Sequence, residues 1–395
     1  TVTSGTAASL NSALANASPT DALTITINNT STAASDLNGL DTKTSVAVNA
    51  TAITALTGDA TAVKTALASS GITTVTNSSL AVNVNSGTAS VADINTINSD
   101  SATGIVTATV TSGAASVLKS LTTTSTDAIT MTVNAEASGA TAAADLVSLN
   151  GNTNKAITMT AVTSVSGSYA DLENVYVTNA NEYTGEGDEA VAITGSVTAT
   201  QADAIADATS GIVTATITAD TASALNSALV DSGSQVNAYD LTISAGSAAA
   251  TDLTSLDGKT SKVVNAAAVT EITGSATEVA AAYAANPTTG ITGLGNETVS
   301  ITGTTVATLA ELKAINNATS GTITLNTQSI NADYSGSVAD VKAAFNGITT
   351  QTGKITLTDS SVSVADINTV ATVTIGEVTA TVTSGAASVL KSLTT

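Results

Sequence analysis

This chain has no cysteine, no histidine, no tryptophan and no arginine; all ten basic residues are lysine, and the aromatics are six tyrosines and Phe345. Each absence removes chemistry. Without His or Cys there is no Ser-His-Asp triad, no thiol nucleophile, no structural zinc site and no haem ligation of the usual kinds. Carboxylate, hydroxyl and lysine chemistry remain. A formal charge of -21 with no Arg removes the electrostatic footprint that phosphate recognition needs, so neither nucleic acid nor an anionic membrane surface is expected as a partner. Apolar residues make up 43% of the chain, but they come in short runs, far from the ~18 consecutive residues of a membrane span, and no membrane insertion is expected. The lack of Cys suits an extracellular or cell-surface protein that avoids unpaired thiols.

What is present is repetition. Val106 to Thr123, VTATVTSGAASVLKSLTT, recurs letter for letter as Val378 to Thr395, and SVADINT stands at both Ser90 and Ser363. A looser copy runs from Val213 to Leu229, and the chain opens on TVTSGTAASLNSAL. Starts at Thr1, Thr109 and Thr216 imply a super-repeat of about one hundred residues built from smaller units.

The smaller unit has two parts. The first alternates Val, Ile, Leu or Ala with Thr, Ser or Asn, as in LAVNVN at Leu80, IVTATVT at Ile105, ITMTVN at Ile129, ITMTAV at Ile157 and IVTATIT at Ile212. Period-two alternation of this composition predicts a strand with one buried face, so that Val106, Ala108 and Val110 point inward and Thr107 and Thr109 outward. The second part predicts a short helix with Leu or Ile at i and i+3, as in SDLNGLD, ADINTIN, ADLVSLN, TDLTSLD, AELKAIN and ADVKAAF. An acid opens each helix (Asp36, Asp93, Asp145, Asp171, Asp252, Glu311, Asp340, Asp366), where exposed amides and the macrodipole favour a carboxylate. Helices this short need a sheet to pack on.

One strand and one helix about every 22 to 35 residues cannot close a core alone, but stacked units bury each other's edges. The expected fold is a single continuous α/β solenoid over 1–395 with about fourteen coils, one long parallel β-sheet and helices on the other side, like leucine-rich repeats. At ~4.8 Å per strand this is a rod of roughly 70 Å. The segment 168–190 departs from the repeat as an acidic, Tyr-rich insertion.

The repeat text, with ADINTI, SLDGKTS, GIVTATVT and GITGLGNE, resembles the arrays of very long exported surface proteins of bacteria, particularly marine cyanobacteria. The resemblance implies an extracellular structural or adhesive role and no catalytic residues. The calcium-binding nonapeptide of many exported repeat proteins is absent.

Two candidate sites follow. Thr107, Thr109, Thr130, Thr132, Thr158, Thr160, Thr214 and Thr216 would stack into ladders on a flat sheet, a lattice suited to a surface such as ice or a polysaccharide; the plainer reading is that Thr is a favoured outward strand residue. Glu186, Asp188 and Glu189, in a Gly-containing loop, form an oxygen donor set suited to calcium, the one ion expected in a protein with no other cofactor; the plainer reading is a solvated insertion. Paired carboxylates also serve glycoside hydrolysis, but aromatic sugar platforms are almost lacking. The leading expectation is therefore a non-enzymatic structural protein of a fibre, sheath or surface layer. Both Thr1 and Thr381 open a TVTSG unit, so subunits are expected to self-associate head to tail. A surface-binding module, such as an adhesin stalk or phage-type fibre, is the alternative.

Overall fold

The computed structural model describes residues 1–74, 79–100, 103–230, 236–285, 288 and 290–394. They form two compact units, 1–194 with 208–211 and 195–207 with 212–395. Each unit is α/β, with short helices alternating with parallel strands. No helix among the described residues is long and apolar enough to cross a membrane.

Every strand pairing among the described residues is parallel, and a strand's partner lies from 20 (Gly113 with Val133) to 27 (Glu271 with Thr298) residues further along. In the first unit one sheet runs through Ser31–Ala33, Ala55–Gly58, Leu80–Val84, Thr103–Thr109 and Ala128–Thr130. A second holds Gly113–Ala114, Thr132–Asn134, Ile157–Ala161 and Tyr183–Thr184. In the second unit Gly246–Ala249, Val269–Gly274, Thr298–Ile301 and Ile323–Thr324 make another.

The strands thus build several short sheets of two to five strands, not the one long sheet expected. The reason is a corner inside the alternating segments. Ala128–Thr130 pairs with Thr107–Thr109, whereas Thr132–Asn134 pairs with Gly113–Ala114 and Ile157–Ala161. The chain changes sheets at Met131. Because Ile129, Met131 and Val133 all stay fully buried through the corner, the alternation continues unbroken and carries no mark of the turn.

The helices bury the edge their spacing predicts: Leu37 and Leu40, Ile94 and Ile97, Leu146 and Leu149, Leu253 and Leu256, Leu312 and Ile315. Ser90, Ser168, Ser337 and Ser363 cap theirs by accepting the N–H of Asp93, Asp171, Asp340 and Asp366. Seven of the helix-start acids also take a donor from an earlier helix or its C-terminal cap. Asn11 reaches Asp36 (3.4 Å), Lys119 Asp145 (2.8 Å), Asn226 Asp252 (2.9 Å), Thr277 Glu311 (2.6 Å), Lys313 Asp340 (2.6 Å) and Lys342 Asp366 (3.1 Å). Lys64 does the same for Asp93. At Asp93, Asp340 and Asp366 the residue whose N–H is capped by a serine also ties its helix, through its carboxylate, to an earlier one.

A second class of threonine faces inward. Thr44, Thr153, Thr260, Thr319 and Thr374 are buried. Each hydroxyl donates to a carbonyl of the preceding repeat, that of Leu23, Ile129, Tyr239, Glu297 or Gly353, at 2.7–2.9 Å. Each also accepts the N–H of the residue two positions on, at 2.9–3.1 Å. This clip satisfies backbone groups where one repeat passes into the next.

Candidate functional site

The predicted threonines face outward, but they do not form one lattice. Thr107, Thr109 and Thr130 belong to one sheet of the first unit, with Thr109 opposite Thr130. Thr132, Thr158 and Thr160 belong to another, where Thr132 pairs with Thr158 and Thr158 with Thr184. A register shift follows Thr158, and Thr160 packs against Gly185, where an added Cβ would lie 2.3 Å from its Cγ2. Thr214 and Thr216 lie in the second unit opposite Ala238 and Asp240. The predicted threonines thus pair only in twos, Thr109 with Thr130 and Thr132 with Thr158, and the second pair is extended to a row of three by Thr184, which was not among them.

The acidic segment has a more specific geometry. A short helix, Tyr169–Glu173, runs into a π-helical turn, Asn174–Thr178, which buries Val175 and Tyr176. The loop that follows, Gly185 to Glu189, uses left-handed backbone at both glycines (φ 76° and 104°), a region that other residues enter at a cost. This places Glu189 inside the protein with no solvent exposure. Its Oε2 accepts the Tyr176 hydroxyl at 3.2 Å and the Gly187 N–H at 2.8 Å. Burial, reinforced by the charges of Glu189, Glu186 and Asp188, pushes the Tyr176 hydroxyl far above the usual tyrosine range. Glu189 Oε1 and Glu186 Oε2 are buried without a hydrogen-bond partner.

Of the three residues expected to share a cation, Glu189 therefore points inward, Glu186 is half-buried and Asp188 is exposed. Among the described residues no group of three or more acidic side chains converges as a metal site.

The structure also reveals a sister loop in the second unit. Gly293 to Glu297 repeats the two left-handed glycines (φ 85° and 135°) and buries Glu297. Tyr283 donates to its Oε1; Gly295 N–H reaches both oxygens, at 3.1 and 2.8 Å, and Asn296 N–H reaches Oε2 at 3.1 Å. In both loops a Thr hydroxyl binds the Glu carbonyl: Thr209 at 2.8 Å and Thr319 at 2.7 Å. The signal for this pair was in the sequence as T-G-x-G-x-E at Thr184 and Thr292, with a Tyr upstream of each. In the second unit Asn316, Val338, Lys342, Asp359 and Asp366 also line an open hollow of about 630 Å³, but its lysine and Asp366 are spent on the helix-to-helix pair. Comparison with family models, with curated proteins and with solved structures finds no match to this chain.

Proposed function

We propose that this chain is a non-catalytic, extracellular repeat array, an α/β solenoid whose coils stack head to tail with those of further copies in a fibre, sheath or surface layer. One internal comparison carries the reading. The same eighteen letters occur in two surroundings. In 106–123, where a following repeat packs on them, Val110, Leu118 and Leu121 are 2%, 1% and 5% exposed. Their counterparts Val382, Leu390 and Leu393 are 38%, 39% and 38% exposed. Val117 and Val389, which face outward in both, differ little (58% and 53%). Identical apolar side chains are thus buried where a coil of the same kind follows and exposed at 382–393, which supports stacking by a further such coil. Covering those three side chains is worth roughly 2–3 kcal/mol by area, a contribution that strand pairing along the same edge would have to supplement. The absence of Cys and the resemblance to exported surface arrays support the location.

The test is the mass of the 395-residue chain in solution and its appearance by electron microscopy at micromolar concentration. The expected result is concentration-dependent, end-on assemblies that Leu390→Glu with Leu393→Glu disperses while leaving the circular dichroism unchanged. A chain that stays monomeric at every concentration overturns self-stacking. The surface-binding alternative rests on the row of Thr132, Thr158 and Thr184; Thr158→Lys that leaves binding to ice or polysaccharide unchanged removes it.

A further inference from the structure

The two sister loops differ in two positions that matter. Glu186 of the first corresponds to Leu294 of the second, and Asp188 to Asn296. The second loop is closed on itself: both oxygens of Glu297 are occupied by Tyr283, Gly295 and Asn296. The first loop is not, because Glu189 receives both of its donors on Oε2 alone and its Oε1 is left buried and unpaired, as is Glu186 Oε2. None of the salt bridges among the described residues reaches either carboxylate. The chain has no Arg or His to supply a charge. A buried carboxylate without a counter-charge is costly, and a second buried, unpaired carboxylate oxygen in the same five-residue loop adds to that cost.

We propose that the Gly185–Glu189 loop is a site for one hard divalent cation, calcium in class, with Glu189 Oε1 and Glu186 Oε2 as its protein carboxylate ligands and main-chain oxygen or water completing the shell. The donors are oxygen only, which selects calcium-type ions over zinc or copper. Asp188 stands at the solvent side and adds negative field without ligating. The sister loop is the same fold with the cation requirement written out: where Leu and Asn replace the two acids, the remaining glutamate is satisfied by the protein itself.

The experiment uses the whole 395-residue chain, stripped with chelator. Terbium is titrated with excitation of tyrosine, since the chain has no tryptophan and Tyr176 donates to the ligand Glu189, and calcium is then added as competitor. The expected result is one saturable site with sensitised emission that calcium displaces. Glu186→Leu with Asp188→Asn, which rewrites this loop as its sister, is expected to weaken binding by at least about tenfold, since affinity follows ligand charge. That variant keeps a loop sequence the protein already folds at 293–297, and unchanged circular dichroism verifies it. Glu271→Gln with Asp207→Asn removes equal charge elsewhere and is expected to leave binding intact. Tyr176→Phe is expected to keep calcium uptake by calorimetry while losing most of the emission. The proposal is overturned by no saturable uptake in the parent chain, or by equal loss in the charge-matched control, which would mean diffuse binding to an acidic surface.

Discussion

Leu118 and Leu390 offer a paired experiment that few proteins allow, because the eighteen residues around each are the same. Leu118 is 1% exposed and Leu390 39%. Truncating a fully buried Leu to Ala removes its transfer free energy and leaves a cavity, together typically 2–5 kcal/mol. Leu118→Ala is therefore expected to cost about 3 kcal/mol. At Leu390 over a third of the side chain is already in water and its open side leaves no closed cavity, so Leu390→Ala is expected to cost about 1 kcal/mol. Val117→Ala and Val389→Ala, both at outward positions, are expected to stay near 0.5 kcal/mol or below. The measurement is urea unfolding of the four variants followed by far-UV circular dichroism, at concentrations low enough to suppress association and with the slope compared, since a repeat chain can lose cooperativity. Equal costs at 118 and 390 would refute the reasoning, because they would mean that the second copy is packed as fully as the first. A cost under about 1 kcal/mol at Leu118 would refute it from the other side.

Thr260→Val keeps the shape of a clip residue but leaves the Lys262 N–H and the Tyr239 carbonyl without their partner, and a loss of about 1–3 kcal/mol in denaturant is expected, against almost none for Thr216→Val on the outer face. Gly321→Ala would place a Cβ 2.1 Å from the Glu297 carbonyl oxygen; rigid backbone stands there, so a lowered melting temperature is expected, while Gly258, with nothing near it, is expected to accept Ala. Asp93 and Asp340 are held below the usual carboxylate value of 3.8 by Lys64 and Lys313 first, and Asp366 by Ser363 and then Lys342. Their folded values are depressed, so this stabilisation is complete above the ordinary value and disappears as pH falls through the lowered ones; helical signal is expected to hold from pH ~7 down to ~5 and fall in the acid limb, earlier in Ser337→Ala. At the alkaline end burial raises Tyr176, Tyr183 and Tyr283 above the ordinary value of 10.0. Their neutral forms stabilise the fold fully below that value and lose this as pH climbs past it, so phenolate absorbance from these three is expected to appear only together with loss of circular dichroism.

The repeating strand and helix were legible because their burial is periodic. Val106, Ala108 and Val110 lie inside and Thr107 and Thr109 outside, as alternation requires, and every Leu or Ile pair that marked a helix is buried. Helices rich in alanine escaped: Ala60–Ala68, Ala199–Ala206 and Ala276–Ala284 carry no acid-plus-leucine mark, although Thr198 with Gln201 and Ser275 with Glu278 form capping boxes that announce two of them. Ser164–Gly167, just before a helix, was missed because four residues with one apolar member, Val165, are too short a run to show alternation. In the acidic loop the residues were identified but not their directions. That Glu189 turns inward while Asp188 stays out depends on two glycine dihedral angles, which composition does not carry. Nor does alternation distinguish a threonine displayed on a sheet from one, like Thr153, that clips two repeats together.

The spacing of partners, 20 residues at Gly113 with Val133 and 27 at Glu271 with Thr298, bears on how the chain reaches its fold. Parallel sheets ordinarily fold slowly because their strands meet across long stretches of sequence. Here a strand needs only the next repeat, and a separation near two dozen residues in a chain of 395 corresponds to a relative contact order of roughly 0.06, in the range of helical bundles. Each closure costs about the same loop entropy as the last. Assembly within a unit can therefore begin at any repeat and spread in both directions, and a chain emerging from the ribosome can fold without waiting for its distant parts.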